Sequence, residues 1–284
     1  MSANPAAAAT APVKLGHRPL RLSTEWRRQA TRPRTRWILG ILAVLPLVVV
    51  AAFMLGDSNP RGPGFDDVAT VGAANFTVFM LFVTAELLLL IVGCLFVGDT
   101  IASEASWGSL RYLLTAPVPR SRLLTAKLLV GLGWTALALV GFLAWVMLVG
   151  GMSYGWDELI VPAGGSVAWG SFAWRLAVAA VFILIAQLPY LSIAFWIGVR
   201  TDAPLAAVGG GVMASILSTI LESINALGDW RVLLPGRNAR AWISLFSPDV
   251  AWHELAHGVL WSTLWMTVFL VWAWRHFGRK DVLS

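Results

Sequence analysis

The stretch GDTIASEASWGSLRYLLTAPVPRSR, residues 98–122, decides the fold, because it lies between long apolar runs at residues 76–97 and 123–150. Each run is long enough to cross a bilayer, since a hydrocarbon core about 30 Å thick needs roughly 20 helical residues. Within the stretch, helical spacing puts Leu110, Leu113 and Leu114 on one face. Four charged side chains are expected to keep it in contact with water: Glu104, Arg111, Arg120 and Arg122. The pattern predicts a surface that contacts another protein beside a membrane.

The composition places the whole chain in a membrane. Of its 284 residues, 58% are hydrophobic, only 13% are charged and 16 are Trp, and the mean hydropathy is +0.73. Because lipid offers the backbone no hydrogen-bond partner, every span is expected to be helical. Six spans are predicted, at residues 37–56, 76–97, 123–150, 174–199, 205–224 and 258–277. The predicted fold class is therefore an all-α, polytopic membrane protein.

The distribution of basic residues predicts the orientation. Cytoplasmic loops near span ends carry an excess of Lys and Arg. Most of the 21 Lys and Arg residues fall on the side of the N-terminal tail and the 98–122 segment, and the exceptions are Arg61, Arg175, Arg231, Arg237 and Arg240. Both termini and the 98–122 segment are therefore predicted to be cytoplasmic, in an inner or plasma membrane.

The predicted organisation has three parts. Residues 1–19 are expected to be a disordered cytoplasmic tail, and residues 20–36 an amphipathic helix on the inner leaflet, with Leu22 and Trp26 one turn apart. The alternative for residues 20–36 is a basic flank that only orients the first span. Residues 37–284 form the six-helix domain, with the 98–122 segment inside it. Residues 225–257 are too apolar for a free loop and too interrupted for a span, which predicts an external segment.

Several functions are disfavoured. The formal charge of +6 fits attraction to anionic lipid, and no nucleic-acid-binding fold or aromatic and basic groove is visible, so no nucleic acid is expected as a partner. None of Lys14, Lys127 and Lys280 follows a glycine, so the chain has no phosphate-binding loop of a P-loop ATPase. Active transport would then require ATP hydrolysis in a separate subunit.

One motif favours a different class of protein. His253, Glu254 and His257 spell H-E-x-x-H, which on a helix presents two imidazoles to zinc with a glutamate as general base. The alternative function is thus an intramembrane zinc metalloprotease. A catalytic zinc needs a third protein ligand, and the predicted topology puts His276 and Asp281 across the bilayer. Asp249 or Glu222 could serve only in an unusual arrangement. We therefore expect this chain to have no catalytic residue and no metal ligand.

The run from Asp99 to Lys127 resembles the signature of the type-2 permease family of ABC transporters. In that family an acidic residue, a G-[ST]-L step, a Leu-Leu pair, a proline turn with Arg and a later Lys recur between the second and third membrane helices. Here the matching residues are Glu104, Gly108, Ser109, Leu110, Leu113, Leu114, Pro117, Val118, Arg120 and Lys127. The six spans, the basic entry helix and the ending FGRKDV at residues 277–282 extend the resemblance over nearly the whole chain.

The resemblance implies the membrane subunit of an ATP-driven exporter. Residues 101–115 would be a coupling helix that inserts its apolar face into an ABC ATP-binding subunit; the alternative is an amphipathic loop that lies on lipid. The permease would pair with a second copy, as a homodimer or a paralogous heterodimer. No cofactor is expected in this chain, while ATP and magnesium belong to the partner subunit. Contacts with that subunit are assigned to Asp99, Glu104, Gly108, Leu110, Arg111, Leu113, Leu114, Pro117 and Arg120, with a second, smaller contact at Asp202. Short re-entrant helices would cap the pathway within residues 225–257, and the simpler alternative for this segment is an interfacial aromatic belt.

Polar side chains inside predicted spans are candidates for the transport pathway, because such residues are costly in lipid. Glu86 lies midway along the second span, Gln187 within the fourth and Glu222 near the outer end of the fifth. Each has a simpler alternative, a hydrogen bond between helices or, for Glu222, exposure to solvent at the outer mouth. The transported molecule is expected to be small and hydrophobic or amphipathic.

Overall fold

The computed structural model describes residues 22–56, 68–106, 119–161 and 164–279, and most of these lie in nine α-helices. The helices are α1 Leu22–Thr31, α2 Pro33–Leu55, α3 Ala73–Thr84, α4 Leu88–Val97, α5 Asp99–Ser106, α6 Arg120–Tyr154, α7 Trp169–Thr201, α8 Pro204–Ser223 and α9 Trp252–Arg279. Two 3-10 helices, Asn225–Leu233 and Ala241–Phe246, precede α9. The predicted all-α, polytopic fold is confirmed.

Five of these helices, α2, α6, α7, α8 and α9, are each long and apolar enough to cross a membrane. The second predicted span differs from expectation: α3 and α4 are bent by 62° at a short break. The prediction of one continuous helix over residues 76–97 is therefore wrong. If the bent pair counts as one span, the described residues contain six.

The break in the second span falls at Ala85, Glu86 and Leu87, and a neighbouring helix stabilises it. A break inside lipid leaves backbone groups without their helical partners, and these must be satisfied by protein. The buried Gln187 amide on α7 donates a hydrogen bond to the Ala85 carbonyl, with Nε2 and O 3.1 Å apart. The bend also lets Glu86 leave the helix towards a charged partner, as described below.

The N-terminal helix α1 ends before residue 36, and its buried face is polar. It ends at Thr31, and α2 begins at Pro33, whose fixed φ suits the first helical turn; residues 33–36 thus belong to the first span. Glu25 and Gln29 face the protein, while Leu22 is half exposed. Trp26 stacks on Trp134 of α6 with ring centroids 5.1 Å apart.

Helix α7 is the centre of the bundle. In its most apolar stretch, 61% of the residues are buried. The corresponding share is 17% for α8 and for α9, which lie on the outside of the bundle. Glycines let α6 and α7 approach the joint between α4 and α5: a Cβ on Gly131 would lie 2.8 Å from the Phe96 carbonyl oxygen, and one on Gly198 would collide with the Gly98 carbonyl. The start of the 98–122 segment is therefore tightly held by backbone packing.

The loops at the other end of the bundle are ordered by a few polar contacts. A small antiparallel pair, β1 Leu159–Ile160 and β2 Ser166–Val167, places Leu159 opposite Val167 and Ile160 opposite Ser166. The Asn75 side chain donates to the Ile160 carbonyl and accepts from the Ile160 N–H, which fastens β1 to α3. Within the predicted external segment, the helix Asn225–Leu233 has no buried residue, whereas Ala241–Phe246 packs into the core.

Candidate functional site

The 98–122 segment begins as helix α5, which carries two acidic residues, Asp99 and Glu104. Both are buried, and Glu104 has no exposed surface. The expectation that Glu104 contacts water is therefore wrong. Helical spacing placed it opposite the leucine face, but α1 covers that side of α5 with basic residues from far earlier in the chain.

Glu104 lies between two cationic side chains. Its Oε1 is 2.6 Å from the Lys127 ammonium on α6 and 2.8 Å from an Arg28 nitrogen on α1. Lys127 is itself buried and also contacts Glu25 of α1 at 3.2 Å. Two residues of the sequence signature, Glu104 and Lys127, thus form one buried ion pair that joins α5 to α6.

Asp99 is held in the same way at the start of α2. It pairs with Arg34 and, at 3.6 Å, with Arg32. Burial lowers the pKa of Arg32 from its ordinary value, although Asp99 and Glu104 partly offset the effect. We call the whole group the ionic clamp: Glu25, Arg28, Arg32, Arg34, Asp99, Glu104 and Lys127. It ties α5 to α1, α2 and α6.

The other predicted coupling residues fall in three places. Gly108, Leu110, Arg111, Leu113, Leu114 and Pro117 lie outside the described residues, so only the part of the predicted 101–115 helix up to Ser106 is seen. Arg120 begins α6 and donates to the Gly278 carbonyl at 3.4 Å. Asp202 ends α7 in the left-handed conformation, with φ 53°.

The three candidate pathway residues line one cavity of about 700 Å³. Glu86 comes from the break between α3 and α4, Gln187 from α7 and Glu222 from the end of α8. The charged and aromatic lining also includes Tyr190 of α7, Trp242, Glu254 and three arginines of the external segment: Arg231, Arg237 and Arg240. The structure thus brings together residues that sequence reasoning placed on separate spans.

A two-pronged ion pair in the cavity joins Glu86 and Arg240. The guanidinium donates from two nitrogens to the two carboxylate oxygens, with Nη2 and Oε2 2.6 Å apart. The hydrogen bond to Glu86 raises the pKa of Arg240. Both side chains stay open to solvent, since Glu86 is 43% exposed and Arg240 is 63% exposed. Elsewhere in the external segment, Arg231 donates a hydrogen bond to the Asn225 side chain at 3.3 Å.

The cavity and the ionic clamp lie at opposite ends of the bundle. Arg120, at the start of α6, touches Gly278 at the end of α9, so the clamp shares its end with the C-terminal ends of α7 and α9. Glu254, at the start of α9, lines the cavity together with Glu222, at the end of α8. Among the described residues, the basic side chains of the clamp therefore lie at the end opposite the arginines that line the cavity, Arg231, Arg237 and Arg240.

A family model described as ABC-2 family transporter protein matches residues 23–207. This match spans α1 to the first turn of α8 and includes the whole ionic clamp. The chain belongs to the ABC-2 transporter family. It is accordingly a multi-pass membrane protein and a permease subunit that pairs with an ABC ATP-binding subunit. No curated protein matches the chain.

The ABC-2 match covers Glu86, Gln187 and the 98–122 segment, but not Glu222, the external segment or α9. The cavity is thus built from both parts: Glu86 lies inside the matched region and Arg240 outside it. The assignment of Arg240 and Glu222 to the cavity depends on this structure alone.

The His253 and His257 rings lie 4.2 Å apart, centroid to centroid, on the exposed face at the start of α9. In residues 22–56, 68–106, 119–161 and 164–279, no group of three or more His, Cys, Asp or Glu side chains is arranged to hold a metal. Within these residues, the H-E-x-x-H motif therefore has no third ligand beside it. Members of the ABC-2 family are membrane subunits of transporters.

The sequence reasoning missed several partners, among them Glu25, Arg28, Arg32 and Arg34 in the clamp and Arg231, Arg237 and Arg240 in the cavity. Glu25 carried a usable signal, because Glu25, Gln29 and Arg32 follow each other at helical spacing and form a polar stripe within a basic helix. Arg240 carried none, since it lies 154 residues from Glu86 in an irregular segment. Only the bend in the second span brings them together.

Proposed function

We propose that this ABC-2 permease exports a small hydrophobic or amphipathic molecule by alternating access, driven by ATP hydrolysis in a separate subunit. The observation that carries the proposal is the ionic clamp, which fixes the start of the 98–122 segment to three other helices. The permease itself would bind no nucleotide, and ATP and magnesium would act in the ATP-binding subunit.

The clamp suits the transmission of force. A segment that a partner pushes can move a membrane helix only if the segment is attached firmly to that helix. Buried ion pairs provide such an attachment, because they are hard to separate in a low dielectric. Lys127 links Glu104 directly to α6, and Gly98 joins α5 to the broken second span. Movement of α5 would therefore reach both helices at once.

Because Asp99 is paired at the start of α2 and Glu104 is paired with α1 and α6, we assign both to holding the segment rather than to touching the partner. Direct contact then falls to the apolar face, Leu110, Leu113 and Leu114, with Gly108 and Pro117 shaping it and Arg111 and Arg120 at the rim. Asp202, at the exposed end of α7 beside Arg200, would make the smaller second contact.

The cavity supplies the pathway in this proposal. It combines charged groups that can exchange partners with apolar walls from Leu90, Ile183 and Trp242, a lining suited to an amphipathic molecule. Gln187 has a structural role as well, since it stabilises the break that exposes Glu86.

The assembly we propose has two permease copies, identical or paralogous, and two ATP-binding subunits. Both termini and the 98–122 segment face the cytoplasm, where basic residues gather, and the cavity opens to the outer side. Helix α1 rests on the inner leaflet through Leu22 and the exposed part of Trp26. Lipid is therefore a further partner.

The test is co-expression of the chain with an ABC ATP-binding subunit. Leu113→Asp puts a charge on the proposed contact face and is expected to abolish co-purification of the ATP-binding subunit. It should also abolish ATP-dependent uptake of ethidium or a fluorescent phospholipid into inside-out vesicles. Inside-out vesicles are required because export from the cytoplasm appears in them as uptake.

The matched control is Leu55→Asp, at the exposed end of α2 furthest from the clamp. It adds the same charge in place of the same side chain and should leave co-purification unchanged. The proposal fails if the wild-type chain moves the probes without an ATP-binding subunit, or if Leu113→Asp still binds that subunit as the wild type does.

A further inference from the structure

A second groove, of about 300 Å³, lies between the C-terminal ends of α7 and α9. It shares no lining residue with the cavity or the ionic clamp. Its lining consists of Trp196, Arg200, Trp272, Arg275, His276 and Arg279. These six residues contain three guanidinium groups, two indoles and no carboxylate.

The sequence builds this groove from two helix faces. On α9, residues 272, 275, 276 and 279 follow the i, i+3, i+4, i+7 spacing of one helix face, and on α7 Trp196 and Arg200 are one turn apart. The Trp196 and Trp272 rings meet with centroids 5.8 Å apart. The Arg200 guanidinium lies over the Trp196 ring, 5.6 Å from its centroid.

The groove changes character along the helices. The aromatic rings lie towards the middle of the bundle, where Phe269 continues them at 5.9 Å from Trp196, and the arginines lie at the end. Arg200, Arg275 and Arg279 are exposed, and their place at helix C-termini favours positive charge. An apolar floor with a basic outer rim matches one molecule that has both a hydrocarbon chain and an anionic headgroup.

We propose that this groove binds the phosphate-bearing headgroup of an anionic membrane lipid, with an acyl chain lying against Trp196 and Trp272. Basic pockets between membrane helices are suited to such headgroups. A free phosphate ion would use the arginines but not the aromatic floor, which is why we commit to lipid. Neither the export proposal nor its test depends on this site.

The test uses the full chain in detergent with equal parts phosphatidylglycerol and phosphatidylcholine, and counts bound lipids by native mass spectrometry. The wild type is expected to retain phosphatidylglycerol over phosphatidylcholine by about tenfold, since each basic residue near the headgroup contributes to the attraction. The groove variant Arg200→Gln, Arg275→Gln, Arg279→Gln is expected to lose most of this preference.

The matched control is Arg27→Gln, Arg36→Gln, Arg122→Gln, which removes the same charge from exposed positions at the same end, outside the groove. It should keep the preference within about twofold of the wild type. If the groove variant does not fold, Arg279→Gln alone, at the exposed end of α9, should lower the preference by about threefold.

A third arm adds inorganic phosphate. Phosphate that displaces phosphatidylglycerol at equal concentration would show a site for free anions and overturn the proposal. Equal loss in the groove variant and in the control would overturn it as well, because the attraction would then come from the overall charge of that end. Trp272→Gln replaces part of the apolar floor by a polar side chain, and unchanged lipid retention in this variant would contradict the proposed acyl contact.

Discussion

The two ends of this permease use charge in opposite ways. At the clamp, Glu104 and Lys127 are buried and fully enclosed by partners, whereas at the cavity Glu86 and Arg240 pair in the open, 43% and 63% exposed. A buried pair is costly to break, because one partner is left charged in low dielectric. An exposed pair is nearly neutral in energy, since water replaces the lost contact. In the proposed function, the end with buried pairs would transmit movement, and the end with exposed pairs would exchange partners with a transported molecule.

The largest effect is expected at the clamp. Glu104→Gln should destabilise the chain by about 3 kcal/mol, the low end for breaking a buried pair because Glu25 still contacts Lys127. Thermal unfolding in detergent, followed by circular dichroism, measures it. The control Glu158→Gln removes an exposed acid at the other end and should change stability by less than about 0.5 kcal/mol. Equal melting temperatures for the two variants would show that the buried acid of the clamp contributes no more to stability than an exposed acid at the other end.

A smaller effect is expected where α1 packs on α6. Trp26→Ala removes the stack on Trp134, worth about 1 kcal/mol for an aromatic pair. It should leave the charges of the clamp in place, so binding of the ATP-binding subunit should persist. Trp26→Phe is the matched control and should recover most of the stability. A loss as large as that of Glu104→Gln would mean that stacking, and not ion pairing, holds α1.

The smallest effect on stability is expected at the cavity. Glu86→Gln opens the pair with Arg240 at a cost of at most about 1 kcal/mol, because both groups are solvated. Its effect should appear in transport, as a changed preference among charged and neutral amphiphiles. The same thermal unfolding assay checks the first part and vesicle uptake the second. A loss of several kcal/mol would show that the pair is structural.

The apolar spans could be predicted from the sequence because hydropathy reports burial in lipid directly. To within one residue, each predicted span lies in a helix or in the bent pair. The signature from Glu104 to Lys127 pointed to the family that was found. The break at Ala85 could not be predicted, because its stabilising partner, Gln187, lies on another helix and residues 76–97 read as one apolar run.

The burial of Glu104 could not be predicted from the sequence for a related reason. Local spacing assigns a charged residue on an amphipathic helix to water, and only the packing of α1 reverses this. The Glu86–Arg240 pair likewise joins residues 154 positions apart. Local periodicity therefore recovered the elements and the candidate positions, while the pairing of charges at both sites depended on tertiary contacts.

The most direct test of the account is the number of probe molecules transported per ATP hydrolysed, measured for the complex in proteoliposomes with Glu104→Gln and with Glu86→Gln. We expect Glu104→Gln to lower substrate-stimulated ATP hydrolysis and transport together, because α5 is then held less firmly by the ionic clamp. Glu86→Gln assembles and hydrolyses ATP normally but transports fewer molecules of a charged probe per ATP. If both variants lowered this ratio equally, or if Glu104→Gln left stimulated hydrolysis intact, the division between a rigid coupling end and an adaptable cavity would be contradicted.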